Sequence, residues 1–374
     1  VTATHPLPAD DRFILWQPDR PVPKSAECPF VQGVEYVVVK QREPEVDGYN
    51  WLHGAAVCRH GDKLYATFGH NRGSENTATE VARGRMSADG GKTWGPVFAI
   101  DDGDTANPAV SHGVLLSHGG ELWAFHGAFH DRMQKLHTVA FVLNQASGVW
   151  QPRGIAAEDG FWPLQEPLKM NDGNWIMAGI SVANGYGGAD DPAAVAISRG
   201  DDFTKWDVVK IRKPEGLEMW GESTVIVDGA EVLNIARWGE PFALAALSKD
   251  FGRTWTEIRE SNLPMAASKP YAGMLSTCQR YLIGTTTADS GNRRSPLTIA
   301  VSRPGENVFS KIYRIRDAVC EGPGESDPKC RLSYPYAVEH EGKLYVIYSN
   351  DGARGDNRNS AELAIVPVAS LGAE

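Results

Sequence analysis

Little in this chain of 374 residues speaks for metal, nucleotide or membrane chemistry. Its five cysteines show no metal-ligand spacing. No P-loop, no HExxH, no GxGxxG after a strand and no EF-hand loop is present. No run of about 18 apolar residues occurs, so no membrane insertion is expected. Positive charge is in deficit: 37 Lys and Arg stand against 47 Asp and Glu, giving −10, and the charges are scattered rather than blocked. That excludes the basic face a nucleic acid or an anionic membrane needs. It leaves room for a small acidic ligand, which needs only two or three local arginines. The opening residues VTATHPLPADDRF lack a charged and an apolar leader region and read as a mature end left after cleavage. Cys320 and Cys330 bracket the loop CEGPGESDPKC and would close a disulfide on export, with Cys28, Cys58 and Cys278 as buried thiols. The expected location is secreted or periplasmic. Oligomeric state is not specified.

What the chain has in quantity is glycine (39), proline (23) and tryptophan (11), the composition of many short strands and turns. The phrase SADGGKTW at 87–94 returns as SKDFGRTW at 248–255, matching at Ser, Asp, Gly, Thr and Trp. Worn versions are SGVW (147–150), SRGDDFTKW (198–206) and SRPGENVF (302–309). Between them a second phrase recurs six times: HGDKLYATF (60–68), GGELWAFHG (119–127), DGNWIMAGI (172–180), DGAEVLNIA (228–236), CQRYLIGTT (278–286) and EGKLYVIYS (341–349). Six β-rich units of about 50 to 60 residues predict an all-β fold, a six-bladed β-propeller of four-stranded antiparallel blades, with seven blades as the alternative. In the turn, the Asp carboxylate accepts main-chain N–H groups, the Gly supplies positive φ, Thr continues the outer strand and Trp wedges between blades. These residues are architectural. Residues 34–41 (VEYVVVKQ) are expected to close the ring, the blades run from about 50 to 370, and no interior linker divides the single domain 1–374.

The turns resemble the Asp boxes, or BNR repeats, of the sialidase superfamily over roughly 50 to 370. That resemblance implies three arginines clamping a substrate carboxylate and a Tyr/Glu pair as nucleophile. GESTVIVDGAEVLNIAR (221–237) is similar to the stretch supplying Glu222 and Arg237, with a salt bridge between blades as their plainer role. GNRRSPLTIAVS (291–302) offers Arg293 or Arg294, and LSYPYAVEHEGKLYVIY (332–348) offers Tyr334 or Tyr336. Where a sialidase enters the first blade with Arg-Ile-Pro, this chain reads YNWLHGAAV (49–57). The first arginine is missing and His53 sits beside its place. LHGAAVCRHGDKLYATFGHNRGSENT (52–77) also resembles propeller enzymes acting on rhamnose–glucuronate linkages, the α-L-rhamnosidase-like and lyase families. It implies His53 with His70 or Asn71, followed by Glu75 and Asn76.

A lyase on a uronate needs a cation to neutralise the carboxylate, a base for the acidified C–H and an acid for the leaving oxygen. Arg suits the first, His and Tyr the others. His53, His70, His112, Arg237, Arg293 and Tyr334 stand at ends of predicted inner strands, which line a propeller's funnel. His126, His130 and Arg132 lie in AFHGAFHDR, and Glu166 in FWPLQEPLKM is a further carboxylate for acid/base hydrolysis. The expected activity is cleavage of a glycosidic bond at an acidic sugar of an oligosaccharide or polysaccharide. A histidine lyase leads, an exo-hydrolase of sialidase or rhamnosidase type comes second, and a non-catalytic glycan binder third. No cofactor is implied, and the fold leaves space for a structural cation on its axis without a motif that specifies one.

Overall fold

The computed structural model describes residues 11–182, 185 and 190–373. The opening residues 1–10, read above as part of a mature end, lie outside them. Six antiparallel sheets follow one another along the chain, each a four-stranded blade, the third with the short strand Leu168–Lys169 added beside Trp175–Ser181, so six blades form a β-propeller. Their innermost strands are Trp51–His60, Ala109–His118, Phe161–Pro163, Ser223–Asp228, Tyr271–Met274 and Leu332–His340. The six recurring phrases are the second strands, Lys63–Asn71, Glu121–His130, Trp175–Ser181, Glu231–Ala236, Arg280–Gly284 and Lys343–Asn350. Their apolar residues are buried because a second strand packs against neighbouring blades on both faces.

The ring closes as expected. Glu35–Lys40 adds as the outer strand of blade VI, in register with Ser360–Pro367 from Glu35 opposite Ile365 to Lys40 opposite Ala361. Residues 11–33 run along the outside of blades IV and V, bridging Phe13 to Ser261, Trp16 to Phe309 and Phe30 to Arg314.

Both full turn motifs fold alike. Asp89 accepts from Ser87 Oγ at 2.8 Å, Thr93 N at 2.9 Å and Thr93 Oγ1 at 2.6 Å. Asp250 does the same with Ser248 and Thr254 at 2.8, 2.8 and 2.6 Å. Trp94 and Trp255 donate to the carbonyls of Gly91 and Gly252 and pack against the inter-blade apolar layers. One detail differs from the expectation. Thr does not continue the outer strand, because its hydroxyl is spent on the Asp; the outer strands begin later, at Phe98 and Arg259. All five cysteines are unpaired, Cys320 and Cys330 included.

Three innermost strands carry a β-bulge near their funnel end: the register shifts between His53 and Ala56, Val110 and Gly113, and Ser333 and Tyr336. A bulge re-aims a side chain that strict alternation would send elsewhere. Here the three bulges place His53, His112 and Tyr334 on the funnel.

Candidate active site

A cavity of about 450 Å³ opens at this end of the axis, within the range of small-molecule sites. Its walls include His53, His112, Glu75, Glu222, Arg237, Arg294, Arg331 and Tyr334, with Trp162 and Trp220 as flat apolar surfaces.

The polar centre is built by a hairpin. Glu222 immediately precedes Ser223–Asp228 and Arg237 immediately follows Glu231–Ala236, and the pairing of Ser223 with Ala236 brings the two side chains together. Arg237 Nη1 donates to Glu222 Oε2 at 2.7 Å and to Tyr334 Oη at 3.2 Å, and Tyr334 Oη donates to Glu222 Oε1 at 2.5 Å. Burial, then the Glu222 carboxylate, hold the Tyr334 phenol well above its ordinary range, with Arg237 and Arg294 opposing. Burial alone would lower the Arg237 guanidinium, but Glu222 outweighs it and the cation is firmly kept. The phenol is thus held protonated, with its hydroxyl on the Glu222 carboxylate.

Two further guanidinium groups line the same cavity. Arg294 lies 5.8 Å from the centre of the Tyr334 ring and donates to the Ala267 carbonyl. Arg331 lines the wall with its Nε on Asp351 at 2.7 Å. Opposite stands Glu75, whose Oε1 accepts from Asn357 Nδ2 at 2.8 Å. Burial, with the nearby Glu222 adding to it, raises the Glu75 pKa above the ordinary glutamate value, which suits this carboxyl to donating a proton.

The histidines join a cluster of tilted and edge-on aromatic rings rather than a hydrogen-bonded relay. His53 lies 3.8 Å from the Tyr334 ring and 6.0 Å from His112, which sits 4.5 Å from Trp162. His53 Nδ1 faces Asn359 Nδ2 at 3.0 Å and Ser349 Oγ at 3.3 Å. Burial, followed by His112 and the arginines, drives the His53 pKa well below its ordinary value, and burial together with Lys269 takes His112 to about 3. Both are neutral rings. Gly54 permits this packing: at φ +62 its Cβ would lie 2.2 Å from the His112 ring.

The other residues singled out from sequence fall elsewhere. His70 is stacked at 3.9 Å under Tyr49, outside the cavity wall. Asn71 braces the loop carrying Glu75, donating to Ser74 O and Thr77 Oγ1 and accepting from Gly73 N and Thr79 Oγ1. Glu166 faces the opposite mouth of the axis, bound to Tyr271 Oη at 2.7 and 2.8 Å. Tyr336, one turn of alternation past Tyr334, points into the core, 4.6 Å from Tyr271. Arg293 is exposed and donates to the Asp289 carbonyl, and Arg132 is exposed beside Met133, which does line the cavity. His126 is buried on the Ser111 carbonyl, and His130 ends its strand away from the cavity wall. Sequence reading passed over Arg331, Asn357, Trp162 and Trp220. Two of them left a signal by position: Arg331 stands one residue before the segment LSYPYAVEHEGKLYVIY, and Trp162 lies within FWPLQEPLKM.

A family model described as a BNR repeat-like domain matches residues 61–346. No curated protein matches the chain. Among solved structures it resembles a Trypanosoma rangeli sialidase, with TM-score 0.67 and 14% identity over 90% of this chain and 60% of that one. It resembles a Hadza microbial sialidase with TM-score 0.68 and 12% identity, over 90% and 69% of the two chains. A Dyadobacter fermentans protein of unknown function gives TM-score 0.67 and 16% identity, over 90% of this chain and all of that one. The chain thus spans 60% of the length of the trypanosomal sialidase. At these identities the likeness is one of fold, and none of the three is named as a rhamnose–glucuronate lyase.

Proposed function

Since the chain belongs to the BNR repeat-like domain family, we propose that it cleaves a glycosidic bond at an acidic sugar by hydrolysis. Tyr334 is the nucleophile, Glu222 its base and Glu75 the acid that protonates the leaving oxygen. The observation that carries this reading is the 2.5 Å hydrogen bond from Tyr334 Oη to Glu222, inside a cluster of guanidinium groups. A binding module needs arginines and aromatic walls; it has no use for a buried phenol pre-bonded to a base.

The position of the cations narrows the sugar. Arg237 stands 3.2 Å from the nucleophilic oxygen itself, so a carboxylate held there sits on or beside the carbon under attack. A neutral phenol suits such a centre, because a carboxylate nucleophile would meet the substrate's own negative charge. Attack by Tyr334 forms the C–O bond to the sugar as Glu222 takes the phenolic proton and Glu75 gives its proton to the departing oxygen. Water then attacks the same carbon with Glu75 taking its proton, the bond to Tyr334 breaks as Glu222 returns its proton to the phenolic oxygen, and the sugar leaves with net retention. The histidine lyase is the weaker reading: His70 lies outside the cavity, and the Nε2 atoms of His53 and His112, though on its wall, are buried.

The test is a product assay on sialosides, rhamnose-capped arabinogalactan and ulvan-like polymers, following free sugar and the absorbance of unsaturated uronate together. Sugar release without absorbance, abolished in Tyr334→Phe, is expected. Absorbance that rises with sugar release and survives Tyr334→Phe would overturn the hydrolase in favour of the lyase.

A further inference from the structure

Beneath the triad, on the axis, lies a buried cation that the chemistry above does not use. Lys269 belongs to the segment that leads from the outer strand of blade IV into the inner strand Tyr271–Met274 of blade V, and it is 2% exposed. Its Nζ donates to the carbonyl of Pro335 in blade VI at 2.8 Å and lies 3.4 Å from the carbonyl of Leu164 in blade III. The rings of Tyr271 and Tyr336 stand 5.7 and 5.6 Å from it. One ammonium thereby ties three blades at the centre of the ring, the place where the fold left room for a cation.

The carbonyl it holds is informative. Pro335 follows Tyr334 inside the bulge of blade VI, and Tyr334 has φ +54, a conformation a bulky residue adopts only when its surroundings impose it. That conformation turns the phenol towards Glu222 while Tyr336 stays in the core. We propose that Lys269 is a positioning residue, an axial cation supplied by the chain itself that pins the Tyr334–Pro335 segment so that the phenol faces the funnel. Its structural part stands on the protein alone; its catalytic part rests on the reading of Tyr334 as nucleophile.

The ammonium is kept at a cost to folding. Burial lowers it to about 8, against the opposing fields of Glu222 and Glu166. The ionisable groups around it come from every blade: His53, His112, Glu166, Glu222, Tyr271 and Tyr336. An unfolded lysine titrates near ~10.4, so between about 8 and that value the unfolded chain binds more protons. Stability from this group therefore rises with pH over that window, while the pinning charge is lost. A residue retained only for stability would behave in the opposite way.

The experiment compares wild type, Lys269→Met, Tyr334→Phe and the double variant, by thermal melting and near-ultraviolet circular dichroism at several pH values. Lys269→Met is expected to melt at or above wild type at neutral pH, with the difference closing as pH rises above about 8. The Tyr334 signal, wild type minus Tyr334→Phe, is expected to collapse in the Lys269→Met background. In wild type it should fade through the same pH window. A Lys269→Met protein that melts lower at every pH, or that keeps the full Tyr334 signal, overturns the proposal. Both readings need no substrate, so they stand apart from the glycosidase assay. Where wild type turns over, Lys269→Met should lose about a hundredfold in kcat with KM little changed.

Discussion

Tyr334 is too deeply buried to ionise on its own, so in the proposed mechanism its attack depends on Glu222 receiving the proton. Tyr334→Phe should leave substrate binding nearly intact and remove kcat, because only the attacking oxygen is lost. Glu222→Gln should do more damage, since it also leaves the partly buried Arg237 without its counter-charge, at a cost of about 1–3 kcal/mol in stability. A melting curve beside a rate measurement separates the two. Glu75 supplies the pH dependence: with its pKa raised by burial, it is protonated further up the pH scale than an ordinary glutamate, and kcat/KM should fall as pH rises through that value. Glu75→Gln should lose about 10²–10⁴-fold and flatten that limb. At this scale sequence was informative where a single hairpin or strand decides position, as for Glu222, Arg237, Arg294 and Tyr334. It was uninformative where a neighbouring blade decides. Asn357 reaches Glu75 only because a loop of blade VI crosses to blade I, and Glu166 ends at the far mouth because strand position along the axis is not written in the pattern.

The bulged inner strand is the element that turns a scaffold into a site. Strict alternation predicts which residues share a face, and the breaks at His53, His112 and Tyr334 move them off that rule. The break in blade I depends on Gly54, whose left-handed backbone and missing side chain admit the His112 ring. Gly54→Ala should therefore cost about 1–3 kcal/mol and most of the activity, although the residue touches no substrate. A variant with unchanged melting temperature and rate would contradict that role. The repeated turns answer to pH differently. Hydrogen bonds from Thr93 hold Asp89 down to about 2, so its support is present above the ordinary aspartate range and is lost as pH falls towards that value. Asp89→Asn with Asp250→Asn should shrink the acid-induced loss of stability between about pH 4 and 2 while sparing the neutral rate. The turn itself was legible in sequence but for the role of Thr, because Ser, Asp, Gly and Trp each make a local bond there, whereas the Thr hydroxyl turns back to the Asp instead of leading into the outer strand.

The whole ring was legible for a similar reason: each blade repeats one local pattern with a period of 50 to 60 residues, which favoured six blades over seven, and the sheets number six. Ring closure concentrates risk at the seam between blades VI and I, where Asn357 and Asn359 of one blade hold Glu75 and His53 of the other. Deleting residues 1–41 removes the closing strand Glu35–Lys40 and the segment along blades IV and V. The truncated protein should unfold at much lower temperature and expose the edge of Ser360–Pro367 to aggregation, which melting and light scattering would record. Retained melting temperature would mean the seam closes without that strand. The central claim, that a tyrosine of this ring becomes covalently bonded to the sugar, is tested most directly by trapping it. A fluorinated, activated acidic glycoside, chosen to form the intermediate faster than water removes it, would be added to the protein and the digest read by mass spectrometry. The expected result is one sugar on the peptide carrying Tyr334, absent in Tyr334→Phe. A turned-over substrate with the sugar on another residue, or with an unsaturated product and no adduct, would contradict it.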